Sequence, residues 1–191
     1  MTKPNALLSA ALFAIAAAGL TTPVVAASHR EGASVMVGGA AMLPTRDIID
    51  NAVNSKDHTT LVAAVKAAGL VDTLKGAGPF TVFAPTNAAF AKLPAGTVDS
   101  LVKPENKATL TKILTYHVVA GTMDAKAIAK AIKAGRGKAR LTTVQGETLT
   151  AAMMGKRLML TDAKGGMSHV TIADVKQSNG VIHVVDTVLM P

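Results

Sequence analysis

The sequence has no cysteine and no tryptophan among its 191 residues, and aromatic side chains make up only 3% of it. Without cysteine there is no disulfide, no thiol nucleophile, no thiolate metal site and no residue to carry the lipid of a bacterial lipoprotein. With so few aromatics, the stacking platforms that bind single-stranded nucleic acid are missing. Several catalytic motifs are absent as well: the Gly-x-Ser-x-Gly elbow, the His-Glu-x-x-His zinc helix, the phosphate-binding Gly-Lys-Ser/Thr loop and the Rossmann glycine fingerprint. The nearest string, Gly166-Met167-Ser168-His169-Val170, fails at its last position and falls in a predicted strand. The expectation is a non-enzymatic protein with no cofactor and no nucleic-acid partner.

What is present begins with an export signal. Lys3 supplies a positive charge, Leu7 to Leu20 runs apolar without charge, and Val24, Val25, Ala26 and Ala27 are the small residues a signal peptidase reads. The apolar run is shorter than the roughly 20 residues of a membrane span. Residues 1–27 are therefore predicted to be a signal peptide cleaved after Ala26 or Ala27, which makes the product a soluble periplasmic or extracellular protein. Cleavage after Ala26 would place His29 third from a free amine, an arrangement that wraps Cu(II) or Ni(II) in square-planar nitrogen; cleavage one residue later destroys it. A mature chain of roughly 165 residues buries enough surface to fold without covalent staples.

The formal net charge is +8, and the excess is uneven. Lys126, Lys130, Lys133, Arg136, Lys138 and Arg140 fall in one segment with no acidic residue between them. The three lysines share a helix face, with Ile128 and Ile132 on another. Two readings fit: a patch for anionic glycans or lipid head groups, or a solvated face that aids solubility.

Along the mature chain, residues 28–44 are small and Gly-rich without a clear period and read as a flexible lead-in, partly tucked against the domain. The domain proper is placed at 45–191 and starts with helices. Thr45 and Asp57 are the expected caps of the first two, with Gly69 as the stop of the second. Phe80 to Ala84 reads as a strand closed by Pro85, with Thr86 capping the next helix. Pro104 opens another helix that leads into a strand at Tyr116-His117-Val118-Val119, and a basic helix spans about 124–134. Beyond Ala139 the chain is strand and turn, and Asn179-Gly180 is predicted to form a type I′ hairpin turn. Helices first and antiparallel strands after give an α+β single domain.

Two histidines sit in apolar strand contexts, His117 in TYHVV and His183 in VIHVV. They are either a pair brought together for chemistry or neutral core residues bonded to backbone, with the Tyr116 hydroxyl in the same network. Met153, Met154, Met159 and Met167 lie near His169, where thioethers plus imidazole could hold Cu(I); their irregular alternation suits core filling.

Three separated strings together resemble the signatures of one family: GPFTVFAPTNAAFAKLP from Gly78 to Pro94, ILTYHVVAG from Ile113 to Gly121, and SNGVIHVVDTVLMP from Ser178 to Pro191. DIIDNA at Asp47 and TTVQGETLT at Thr142 strengthen the likeness, which is to fasciclin domains, bacterial secreted single-domain members among them. The resemblance implies a wedge-shaped β-sandwich with helices packed mainly from the N-terminal half. It also implies an adhesion or binding role at the cell envelope or extracellular matrix. Phe80, Phe83, Pro85, Thr86, Phe90, Tyr116, His117, Asn179, Gly180 and His183 are the motif positions, read here as structural. The acidic integrin motif of animal relatives is not matched at Lys112-Ile113-Leu114. The expected partner is a cell-surface or matrix protein or an anionic polysaccharide. The competing function is an extracytoplasmic carrier or sensor of a small apolar ligand or metal ion. Oligomeric state is left open.

Overall fold

The computed structural model describes residues 34–191; the expected signal peptide and His29 lie outside the described residues. A short hairpin of β1 (Val35–Val37) and β2 (Ala40–Met42) precedes the helices α1 (Ile48–Ala52), α2 (Thr59–Ala68) and α3 (Val71–Lys75). Strand β3 (Phe80–Pro85) follows, then α4 (Asn87–Ala91), α5 (Thr97–Leu101) and α6 (Lys107–Tyr116). After β4 (Val118–Ala120) and α7 (Ala125–Ala134) come β5 (Lys138–Thr142), β6 (Thr148–Met154), β7 (Arg157–Thr161), β8 (Met167–Gln177) and β9 (Gly180–Val185).

Local chemistry explains most helix ends. Gly69 takes φ 72° and stops α2 in the left-handed conformation that a side chain would resist. The Thr86 hydroxyl accepts the Ala89 N–H at 3.2 Å and caps α4. The first helix is capped by Asp47 rather than Thr45: its carboxylate accepts the Asp50 N–H at 2.7 Å. Asp57 does not cap α2, because it lies inside a 3-10 turn, Lys56–His58, that leads into the helix.

Seven strands form one sheet in the order β4-β3-β9-β8-β7-β6-β5. All pairs are antiparallel except β3 with β9, which run parallel and put Phe83 opposite His183. Strand β8 joins the two halves, pairing β7 through its start and β9 through the remainder. Register shifts interrupt its β9 ladder between Val170 and Val175, where Asp174 takes φ 59°. Such bulges bend a strand and increase its twist. The sheet edges meet: Val119 bridges Thr143, and the Val144 N–H donates to the Val118 carbonyl at 2.7 Å. The α+β sandwich is thus one continuous sheet curled on itself.

Two cores result. Helices α1 to α6 bury Ile49, Leu61, Val65, Phe90, Leu110 and Leu114 against Val82, Ile182 and Val184. Inside the curl, Phe83, Tyr116, Leu141, Leu149, Leu160 and Val185 pack with Ile128 and Ile132 of α7. Each such fully buried side chain contributes roughly 1.5–3 kcal/mol, so the fold stands on these clusters without disulfides.

Three expectations need correction. The lead-in, expected to be flexible and only partly tucked against the domain, holds a regular hairpin over 35–42, and Val37 and Met42 are buried in the helix-side core. Gly38-Gly39, with φ 58° and 77°, makes the two-residue turn that the hairpin needs. The Asn179-Gly180 turn is not type I′. The hairpin closes at Ser178-Asn179, with Gln177 opposite Gly180, and neither Asn179 nor Gly180 has positive φ. Glycine is required at 180 for space, since a Cβ there would lie 2.1 Å from the Phe80 carbonyl oxygen. Tyr116, expected in a strand, is the last residue of α6, and His117 is its C-cap.

Candidate functional site: a buried histidine frame beneath a basic face

The motif residues lie inside. His117 is buried at the junction of α6 and β4. Its backbone N–H turns back to the Leu114 carbonyl, leaving the Ile113 carbonyl without the usual i+4 partner. The ring supplies that partner: Nδ1–H donates to Ile113 O at 2.8 Å, and Nε2 accepts the Leu189 N–H at 3.0 Å. A carbonyl on one side and an N–H on the other permit one tautomer only. Burial pushes the His117 pKa down to about 4, so the ring is neutral.

His183 is buried in β9, with its ring stacked on Phe83 at 5.5 Å between centroids and 24° between planes. Its Nε2–H donates to the Met123 carbonyl at 2.8 Å, and Nδ1 faces the Asp174 N–H at 3.4 Å. Burial lowers this pKa as well. Phe83 links the two histidines, for its own N–H donates to the His117 carbonyl at 2.9 Å. The Tyr116 hydroxyl serves a separate network: it donates to Thr148 O at 3.2 Å and accepts the Ala163 N–H at 3.0 Å. Burial raises its pKa, helped by Asp162 and Glu147. The expectation that it joins the histidines is corrected by these partners.

The remaining motif positions bind segments to one another. Phe80 packs on the helix-side core and Phe83 in the curl, on opposite faces of β3 as their odd spacing requires. Pro85 ends β3 opposite Val185, and Phe90 drops into the helix-side core. Asn179 reaches three backbone groups: its Nδ2 donates to Leu74 O at 2.8 Å and Gly76 O at 3.1 Å, and its Oδ1 accepts the Ile48 N–H at 3.1 Å. It docks the β8–β9 turn on α1 and α3.

Sequence reasoning missed how this frame holds the basic helix. The Thr81 hydroxyl donates to Gly121 O at 2.6 Å and accepts the Met123 N–H at 2.8 Å. His183 holds the Met123 carbonyl, and the Asp174 carboxylate accepts the first N–H of α7, Ala125, at 2.6 Å. Asp124 caps the helix by accepting the Ala127 N–H at 2.7 Å. Carboxylates at a helix N-terminus are favoured by its dipole. No sequence signal marks Asp174, since its position in the bulge depends on tertiary pairing.

The six basic residues are all exposed. Lys126, Lys130 and Lys133 form the outer face of α7, opposite the buried Ile128 and Ile132. Lys138 and Arg140 alternate with buried Ala139 and Leu141 on the edge strand β5. These two line an open groove of about 720 Å³ with Ala131, Ala134, Gly135 and Thr150. Arg136 sits in the connecting turn at φ 55°. The structure therefore divides the six into a helix face and a strand groove joined by one turn. Among the described residues none of the six has an ion-pair partner.

Late methionines are not core fillers. Met153, Met154 and Met167 are 43%, 57% and 57% exposed, which corrects that reading.

A sequence model of the fasciclin domain matches residues 56–191. Protein sll1483 of Synechocystis is 45% identical over 175 residues, spanning 92% of this chain and 90% of its own length. The immunogenic protein MPB70 of Mycobacterium bovis is 38% identical over 197 residues, spanning 92% and 93%. The cell surface glycolipoprotein MPB83 of the same species is 37% identical over 159 residues, spanning 81% of this chain and 64% of its own length. A solved FAS1 domain pair from the insect cell adhesion molecule Fasciclin I has the same fold at a TM-score of 0.68 and 19% identity. The match covers 78% of this chain and about half, 52%, of the insect one.

Proposed function

The chain belongs to the fasciclin domain family, and from that premise we propose that it is an exported, non-enzymatic binding module for anionic glycan or acidic protein surfaces. In this reading residues 1–27 are removed on export and the domain acts in the periplasm or outside the cell. Two of its relatives, a cell surface glycolipoprotein and a cell adhesion molecule, support an envelope or extracellular setting.

One observation carries the reading. Six exposed cations without ion-pair partners among the described residues stand on α7 and β5, and α7 is fixed to the sheet by Thr81, Asp174 and His183. A rigid array of cations gains electrostatic affinity without the ordering cost that a mobile one pays. The motif histidines lie in the interior, bonded to backbone, which supports a framework role over chemistry. Carriage of a small apolar ligand finds little room: the cavity in the helix-side core, bordered by His58, Leu61 and Val184, measures about 40 Å³. That is space for about a water or two.

Retention on immobilised heparin, as a sulfated probe, tests the proposal. The protein is expected to bind at low salt and to elute below about 0.5 M salt, where charges farther apart than a few ångströms are screened. Lys126→Glu, Lys130→Glu and Lys133→Glu together should abolish retention while the far-UV circular dichroism stays native. Retention that ignores both salt and these changes removes the reading.

A further inference from the structure

The outer face of β6 to β8 carries thioethers where threonine or charge would be expected. Met159 of β7 pairs directly with His169 of β8, and Met167 lies two residues from His169 on the same strand, hence on the same face. Directly opposed residues have Cβ atoms about 4.5–5.5 Å apart. Residues i and i+2 on a strand are separated by roughly 6.6 Å. Both spacings are within reach of the long, flexible methionine side chain. Met167 is 57% exposed, and Met159 and His169 are half-buried.

On its other side His169 faces Asp186. The His169 Nδ1 lies 3.5 Å from Asp186 Oδ2, and the His169 backbone N–H donates to Asp186 Oδ1 at 2.9 Å. A carboxylate beside one ring nitrogen favours a proton there and leaves the other nitrogen as the lone-pair donor. The described residues give Nε2 no hydrogen-bond partner.

We propose that Met159, Met167 and His169 form a surface site for a soft monovalent metal ion, Cu(I), with Asp186 orienting the imidazole. Two thioethers and an imidazole nitrogen are a donor set that selects Cu(I) over harder ions. Arg157, two residues from Met159 on the same face, repels a divalent ion twice as strongly as a monovalent one, which sharpens that choice. The site shares no residue with the lysine face of α7 and does not rest on the polyanion reading.

The test uses the whole exported chain with its methionine methyls labelled with carbon-13, carrying His29→Ala to remove the N-terminal donor. Silver(I), a redox-silent surrogate of the same softness, is titrated in chloride-free buffer. The expected result is a shift of the Met159 and Met167 methyls and of the His169 ring that saturates at one equivalent, with Met36 and Met42 unmoved. Met159→Leu with Met167→Leu should abolish the response, and Asp186→Asn should weaken affinity about tenfold or more. If exposed Met36 and Met154 respond in step with Met159 and Met167, the metal is binding thioethers indiscriminately and the site is refuted. It is equally refuted if no methyl moves at one equivalent, or if the double leucine variant binds as tightly as the parent.

Discussion

His117 and His183 carry their ring protons on opposite nitrogens. His117 donates through Nδ1 to Ile113 O and accepts at Nε2 from Leu189, whereas His183 donates through Nε2 to Met123 O with Nδ1 toward the Asp174 N–H. Each ring joins a carbonyl and an N–H from different segments, and Phe83 touches both residues. A protonated ring would have two donors and no acceptor, so one N–H in each pair would lose its partner.

Acidification should therefore weaken the fold. An unfolded histidine titrates near 6.5, whereas His117 is held down at about 4 by burial. Between these values the unfolded chain takes up a proton that the folded chain refuses. Stability contributed by the neutral ring is intact above about pH 6.5 and is lost progressively toward pH 4. For His117 alone the full loss is about 3 kcal/mol. Lowered values at His183 and His58, both from burial, act in the same direction. Urea denaturation at several pH values between 7.5 and 4 should give a falling unfolding free energy, and His117→Asn should flatten the slope.

Asn179→Ala should cost about 2–4 kcal/mol, because it strands Leu74 O, Gly76 O and the Ile48 N–H at once. Asn179→Gly should be no milder, since the side chain and not a left-handed backbone is what the position uses. Thermal denaturation of the two variants settles this; a type I′ turn would make the glycine variant the more stable of the two.

These positions show what could be read from residues and what could not. Thr86 and Gly69 announce helix ends through local chemistry, and the odd spacing of Phe80 and Phe83 assigns them to opposite cores. The Asn-Gly pair misled because its local preference is overridden: Asn179 is spent on α1 and α3, and Gly180 on the close approach of Phe80. The parallel return of β9 onto β3 and the Asp174 bulge depend on contacts distant in sequence, which no periodicity encodes. The Gly38-Gly39 hairpin was readable, but small neighbouring residues hid its short alternation. Of the basic face, the three lysines of α7 followed from helical spacing; their separation from Lys138 and Arg140 required the sheet.

Arg136 occupies a left-handed conformation at φ 55°, which costs a non-glycine residue about 1 kcal/mol. Arg136→Gly should therefore leave stability unchanged or raise it by up to about 1 kcal/mol, while weakening retention on heparin. Chemical denaturation and salt elution of the same variant separate these effects.

Asp174→Ala removes the carboxylate that receives the first N–H of α7. Amide hydrogen exchange in α7 should speed up several-fold while β3 and β9 keep their protection, and heparin retention should fall although every lysine remains. Unchanged exchange in α7 would show that the Asp174 carboxylate is not what holds the helix.

The most direct test follows backbone amide shifts of the labelled domain as a heparin-derived oligosaccharide is added. A framework that presents its outer surface predicts perturbations confined to α7, the Arg136 turn and β5, with His117, His183 and Phe83 still. Perturbations centred on the two buried histidines, with α7 and β5 unaffected, would contradict it.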